Sequence, residues 1–229
     1  MENVFEIKEQ RPIAPVGWLE TTLPKTVMKR LQNYIETAKK DPKSLNNDLA
    51  GNISKSLVIE DKDNWFFQTI LTPLIRKFME SFPSYATNEI NFLTENMPYC
   101  LNKLWVNFQK QHEFNPPHDH SGVFSFVIWV KIPTDWREQH ALSISANSNS
   151  PMASNFEFLY TTMLGKFGKH PFVLDKKSEG NMLFFPAKLM HTVHPFYNCD
   201  KERISISGNI FFDSSENTMK QLRLNERKR

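Results

Sequence analysis

The sequence predicts a mainly β domain, a sandwich or barrel, preceded by helices. Beyond about Asn102 the apolar residues recur at every second position, the pattern of strands with one face on a core. The strands so marked are short and follow one another without intervening helices, which indicates two packed sheets or a closed one. Before Asn102 the apolar residues recur near every fourth position, the spacing of one helix face.

Pro24 opens a helix whose buried face is Val27, Leu31, Tyr34, Ile35 and Ala38, and Asp41-Pro42 stops it. A second helical pattern runs through Phe66, Ile70, Leu71, Leu74, Phe78 and Phe82, where Pro73 either kinks the helix or begins a separate piece. Residues 1–100 are therefore expected to be a helical part packing on the core. In the core, Leu104, Val106 and Phe108 share one strand face, and Trp105, Asn107 and Gln109 share the other. Val123 to Ile132 alternates in the same way, and Asn155 to Thr162 groups Phe156, Phe158 and Tyr160. Met182 to Phe185 follows the turn signal Glu179-Gly180-Asn181, and Arg203 to Phe212 alternates once more. Ser143 to Ser154, rich in Ser, Asn and Pro, reads as a long polar loop of the kind that borders a binding site.

The chain has 229 residues, 40% of them apolar, which suits one sizeable core rather than two. A single domain is expected, with its core over residues 101–213 and a tail over 214–229. Lys and Arg number 28 against 25 Asp and Glu, so the formal charge of +3 is too close to balance for a general nucleic-acid or membrane binder. The basic cluster Arg223 and Arg227-Lys228-Arg229 reads as a solvated tail. Cys100 and Cys199 are isolated and too few for a disulfide scaffold, which suits a reducing cytoplasm. No apolar stretch approaches the roughly 20 residues of a membrane span, and Met1 to Arg11 lacks the apolar segment of a secretory leader. A soluble cytoplasmic protein is expected.

The segment Asn115-Pro116-Pro117-His118-Asp119-His120-Ser121-Gly122 sets two imidazoles two residues apart at the mouth of a strand. In extended backbone such residues face the same way, so His118 and His120 can reach one ion while Asp119 points to the opposite side. Some seventy residues later, Gly180 to Pro186 leads to Met190-His191-Thr192-Val193-His194-Pro195, and His191 offers a third ring. Three ligands on one side of a metal leave the other open for substrate and dioxygen, the arrangement of non-haem iron oxygenases. A His-x-His pair on its own is equally a pair of surface or core histidines. Asp119 replaces His120 as a ligand only if the strand is broken there.

Twelve positions after His191 comes Arg203-Ile204-Ser205-Ile206-Ser207-Gly208-Asn209. Arg203 and Ser205 share the face opposite to Ile204 and Ile206, so if the isoleucines pack outward the guanidinium points into the barrel. A buried Arg costs several kcal/mol unless a carboxylate meets it, and a cosubstrate can supply that anion. The bland reading is an exposed Arg at the start of an edge strand. Asn107 and Asn209, on the same faces as Trp105 and Arg203, are further candidates to line the pocket and contact the cosubstrate.

Taken together, His118-x-His120, Gly180 with Phe185-Pro186, His191-x-Val193-x-Pro195 and Arg203-x-Ser205 resemble the 2-oxoglutarate- and iron(II)-dependent oxygenase superfamily, in particular its bacterial and phage branch related to prolyl hydroxylases. The resemblance spans roughly Trp105 to Asp213. It implies a double-stranded β-helix, or jelly roll, with N-terminal helices. It further implies that Fe(II) is held by His118 and His191, and the far carboxylate of 2-oxoglutarate by Arg203 with Ser205. The middle ligand of the wider pattern is Asp or Glu, and here it is His120. That exchange removes a negative charge beside the ion, and some jelly-roll dioxygenases work with three histidines and no 2-oxoglutarate. Three readings therefore stand: a 2-oxoglutarate-dependent hydroxylase of a small molecule or peptide, with a prolyl residue as the family's suggestion; a three-histidine, cupin-like dioxygenase; and a non-catalytic jelly-roll binding or structural domain. His194 reads as a group near the mouth or a plain surface residue, and His112, His140 and His170 have no spacing that recommends them. The oligomeric state is not legible.

Overall fold

A computed structural model describes residues 5–13, 16–85, 98–162 and 164–215. Among them two antiparallel sheets carry the fold. The larger has seven strands, β1 (Ile7–Ile13), β2 (Val16–Thr22), β3 (Ser56–Val58), β4 (Tyr99–Gln109), β6 (Phe124–Lys131), β9 (Asn181–Pro186) and β11 (Arg203–Phe212), in the order β1-β2-β9-β6-β11-β4-β3. The smaller holds β5 (Asn115–His118), β7 (Phe156–Thr161), β8 (Phe167–Phe172) and β10 (His191–Val193), in the order β5-β10-β7-β8. This is the jelly roll that the sequence resemblance implies.

Helix α1 (Lys25–Lys40) buries Val27, Leu31, Ile35 and Ala38, the face that the periodicity marks. The second helical segment is split: a π-helical stretch over Phe67–Leu71 runs into α2 (Thr72–Ser81), with Pro73 in its first turn, where a missing N–H costs nothing. Both helices cover the outer face of the larger sheet. Leu31, Ile35, Leu74 and Phe78 join Val106, Phe108, Phe124, Phe126, Ile128, Phe184, Ile206 and Ile210 in one apolar core. A second core lies between the sheets, where Trp18, Val127, Trp129, Leu183 and Phe185 meet Phe156 and Phe158. No helix among the described residues is long and apolar enough to cross a membrane.

The N-terminal part is more than helical. β1 and β2 extend the larger sheet through the β2–β9 pairing, and β3 pairs with β4 at its other edge. β2 escapes detection because Trp18 and Leu19 are both fully buried, one in each core, so period two is lost. β5 and β8 sit at the edges of the smaller sheet and contain Pro116, Pro117 and Pro171, which lack the N–H that an inner strand needs. The basic cluster at Arg223 and 227–229 lies outside the described residues.

Phe78 is wholly buried, with ring centroids 4.6 to 6.0 Å from Phe82, Tyr85, Phe124 and Phe184. Phe78→Ala is expected to cost about 3–5 kcal/mol, read as a lower urea midpoint with unchanged slope.

Candidate active site

Three imidazoles converge where the edge of the smaller sheet meets the space between the sheets. His118 ends β5 and lies opposite His191, the first residue of β10. His120 follows just beyond the strand, its backbone N–H donating to the Ala187 carbonyl at 2.8 Å. Ring centroids are 4.2 Å apart for His118 and His191, 4.9 Å for His120 and His191, and 5.0 Å for His118 and His120. One ligand nitrogen from each ring lies within 4.8 Å of the others, a grouping that can hold a metal ion. β5 does stop at His118, yet Asp119 is half-exposed and pairs with Lys188 at 3.3 Å, and the grouping of ligand atoms is made by the three histidines without it.

The protein sets the rings chemically as well as sterically. His118 Nδ1 lies 2.7 Å from the Pro116 carbonyl and His191 Nδ1 lies 2.9 Å from that of Leu189. A carbonyl only accepts, so each Nδ1 carries the proton and each Nε2 is left as a bare lone pair. Burial pushes all three rings below the usual histidine value. His191 falls well below it, and His120 falls to about 4, in both by burial first and then by the neighbouring His118. Neutral imidazole is the form a divalent cation needs.

The cluster lines a cavity of about 260 Å³ whose wall is the inward face of β4 and β11. In register along that wall stand Arg203 with Gln109, Ser205 with Asn107, Ser207 with Trp105, and Asn209 with Lys103. His120 lies 6.0 Å, ring to ring, from Trp105, so the histidines stand part-way up between the Arg203 floor and the Lys103 rim. Residues Asn46 to Ile53 cover the rim. Asp48 pairs with Lys103 at 2.8 Å, the Asn52 N–H donates to the Phe114 carbonyl, and Gly51 lies where a Cβ would fall 1.8 Å from Asn115 Oδ1.

At the floor, Arg203 is 2% exposed and no carboxylate among the described residues pairs with it. Its Nη2 donates to the Ser154 carbonyl at 3.0 Å and to Ser154 Oγ, its Nη1 to Gln109 Oε1 at 3.5 Å, and the Phe196 ring lies 5.0 Å from its guanidinium carbon. Nε is buried without a partner. Burial lowers the guanidinium to about 9, which still leaves it a cation at neutral pH.

The structure thus brings His118, His120, His191, Arg203, Ser205 and Asn107 to one cavity. Asn209 lines it too, six residues along β11 and roughly 20 Å from Arg203 at strand rise, beside Lys103 at the mouth. Its Oδ1 accepts from Ser125 Oγ. His194 binds the buried Glu157 at 3.1 Å, and His140 binds Asn155. Ser143 to Ser154, read as a polar loop bordering a site, ends in Ser154, which is fully buried beside Arg203. Sequence reasoning also misses Gln109 as a site residue, although its strand face is marked, and the Asn46 to Ile53 cover, signalled only by its turn-forming composition.

A depressed histidine pKa means that the unfolded chain, titrating near 6.5, takes up protons that the folded chain refuses. Stability of metal-free protein should therefore fall as pH drops from about 6.5 towards about 4. For His120 the loss at pH 5 is roughly 1–2 kcal/mol. Thermal melts from pH 7.5 to 5 should steepen in wild type and flatten in His120→Asn.

Comparison with known proteins bears on this cavity. Residues 103–209 match the family model described as "Putative 2OG-Fe(II) oxygenase". No curated protein sequence matches. Among solved structures, the α-ketoglutarate-dependent carbocyclase SnoK of nogalamycin biosynthesis aligns at a TM-score of 0.51 and 10% identity, over 89% of this chain and 82% of that one. A Pseudomonas putida prolyl-4-hydroxylase aligns at 0.49 and 11%, over 88% and 95%. A Trichoplax adhaerens prolyl hydroxylase, solved with a hypoxia-inducible-factor peptide, aligns at 0.47 and 13%, over 94% and 89%. At such identities the likeness concerns fold alone, and it rests on the carbocyclase. The family match runs from β4 to β11, on this jelly roll and around this cavity, so the core of the chain is similar to 2-oxoglutarate- and iron(II)-dependent oxygenases in sequence and has a fold that they share.

Proposed function

We propose that the protein hydroxylates a C–H bond of its substrate, with His118, His120 and His191 holding Fe(II) and with Arg203 and Ser205 holding the far carboxylate of 2-oxoglutarate. One observation carries the reading: a guanidinium without a carboxylate, with an orphaned Nε, is buried at the floor of the cavity that three neutral imidazoles line. An unpaired buried cation is costly, and a dicarboxylic acid spanning floor and histidines relieves it.

The donor set fits such an ion, since neutral imidazole suits iron. Bound iron and 2-oxoglutarate supply the activation of dioxygen, coupled to loss of the acid's 1-carboxyl group as carbon dioxide. The protein's own groups bind, orient and exclude water. Pro116 and Leu189 carbonyls hold two of the rings by their Nδ1 protons. Phe156 and Phe185, 5.5 and 5.1 Å from His191, make its surroundings apolar. The rim at Asp48, Lys103 and Asn209 faces a substrate, either a small molecule or a peptide, and the sequence resemblance makes a prolyl residue the first class to screen by succinate release.

His120 in the place of a carboxylate favours a second reading, a three-histidine dioxygenase that needs no oxo acid. Anaerobic titration separates them. Fe(II) followed by 2-oxoglutarate should give a visible charge-transfer band, and Arg203→Ala should weaken 2-oxoglutarate about a hundredfold or more while iron uptake is kept. Iron uptake by wild type with no band supports the second reading, and no uptake supports a non-catalytic binding domain.

A further inference from the structure

We infer that Ser154 is a positioning residue for the acid site: it orients the Arg203 guanidinium with neutral acceptors, so that the fork is fixed while its charge is left for the ligand. The inference rests on the proposed place of 2-oxoglutarate at Arg203.

A guanidinium has five N–H donors. Nη2 donates to two oxygens of one residue, the carbonyl and the hydroxyl of Ser154. Nη1 has one long contact at 3.5 Å to Gln109, and Nε has none. The donors left over are therefore those of Nε and Nη1, and Ser154 decides which way they point. Gln109 is itself held, its Nε2 donating to the Glu113 carbonyl at 2.6 Å.

The residue that brings two oxygens to one nitrogen also has an unusual backbone. Ser154 has φ of +71°, the left-handed region that serine seldom adopts, and it is wholly buried. Its surroundings impose that conformation: its N–H donates to the Pro195 carbonyl at 2.8 Å, and its Oγ lies 3.2 Å from Thr134 Oγ1. None of these groups is an anion. An acid at position 154 would neutralise Arg203 and compete with the ligand, whereas a hydroxyl and a carbonyl fix the cation without cancelling it. Ser154 has no hydrogen bond to the three histidines, so its effect should reach the acid and not the iron.

The test uses full-length protein loaded anaerobically with Fe(II), titrated by calorimetry and by the visible band with two acids. 2-Oxoglutarate has the distal carboxylate, and 2-oxobutyrate has the same oxo-acid head without it. Ser154→Gly keeps the carbonyl and tolerates the left-handed backbone but lacks Oγ. It should weaken 2-oxoglutarate about tenfold, the worth of one charge-assisted hydrogen bond, and leave 2-oxobutyrate and Fe(II) affinities as in wild type. Equal weakening of both acids would reduce Ser154 to a structural role, and no weakening of either would remove it from the site. Thr134→Val, which removes the second contact to Oγ, should shift the ratio of the two affinities in the same direction and serves if the glycine variant does not fold. An unchanged ratio overturns the inference. In parallel, Arg203→Ala must lose the preference for 2-oxoglutarate; if it keeps that preference, the placement of the acid is wrong, a failure distinct from that of Ser154.

Discussion

The two-residue period of β4, β6 and β11 is the constraint on which the rest depends. Because successive side chains leave a strand on opposite sides, Val106, Phe108, Ile128 and Ile206 must enter the layer beneath α1 and α2 while Asn107, Gln109, Trp129, Arg203 and Ser205 enter the space between the sheets. One face is paid for by hydrophobic burial, and that burial lets the other face stay polar and hollow. A slip of one residue in β11 would exchange Arg203 for Ile204 and remove the cavity's cation.

Much of this was legible in the sequence because it is carried by local rules. Alternation along Arg203 to Phe212 set the guanidinium on the face opposite to Ile204 and Ile206, and the His118-x-His120 spacing marked two rings as a pair. The short or doubly buried strands were not legible. β10 has three residues, too few for a period, and β2 buries both faces. Pairing across the chain was beyond reach as well. The meeting of His118 with His191 depends on the β5–β10 register, and Ser154 meets Arg203 across 49 residues through a backbone angle that a serine does not advertise. The cluster's third member arrives outside strand geometry, since His120 follows the end of β5 and is set by a hydrogen bond to Ala187.

The electrostatics divide along the cavity. Burial discharges the three imidazoles, whose protons would otherwise compete with a metal, but leaves the guanidinium charged because its intrinsic basicity is far higher. The segment from His191 to Phe196 joins both parts: it begins with a ring of the cluster, passes Pro195, which holds Ser154, and ends in the aromatic face beside Arg203. A displacement of this six-residue stretch would disturb the metal end and the anion end together.

The depth of Arg203 has a kinetic corollary. The guanidinium is almost wholly buried in the cavity, the Asp48–Lys103 pair lies at its exposed side, and His120 stands beside Trp105, between Arg203 and Lys103 along the β4–β11 wall. A molecule large enough to fill the rim obstructs the way down, so on the proposed reading the small acid enters first and its remnant leaves last. Turnover then follows a compulsory sequence imposed by access alone.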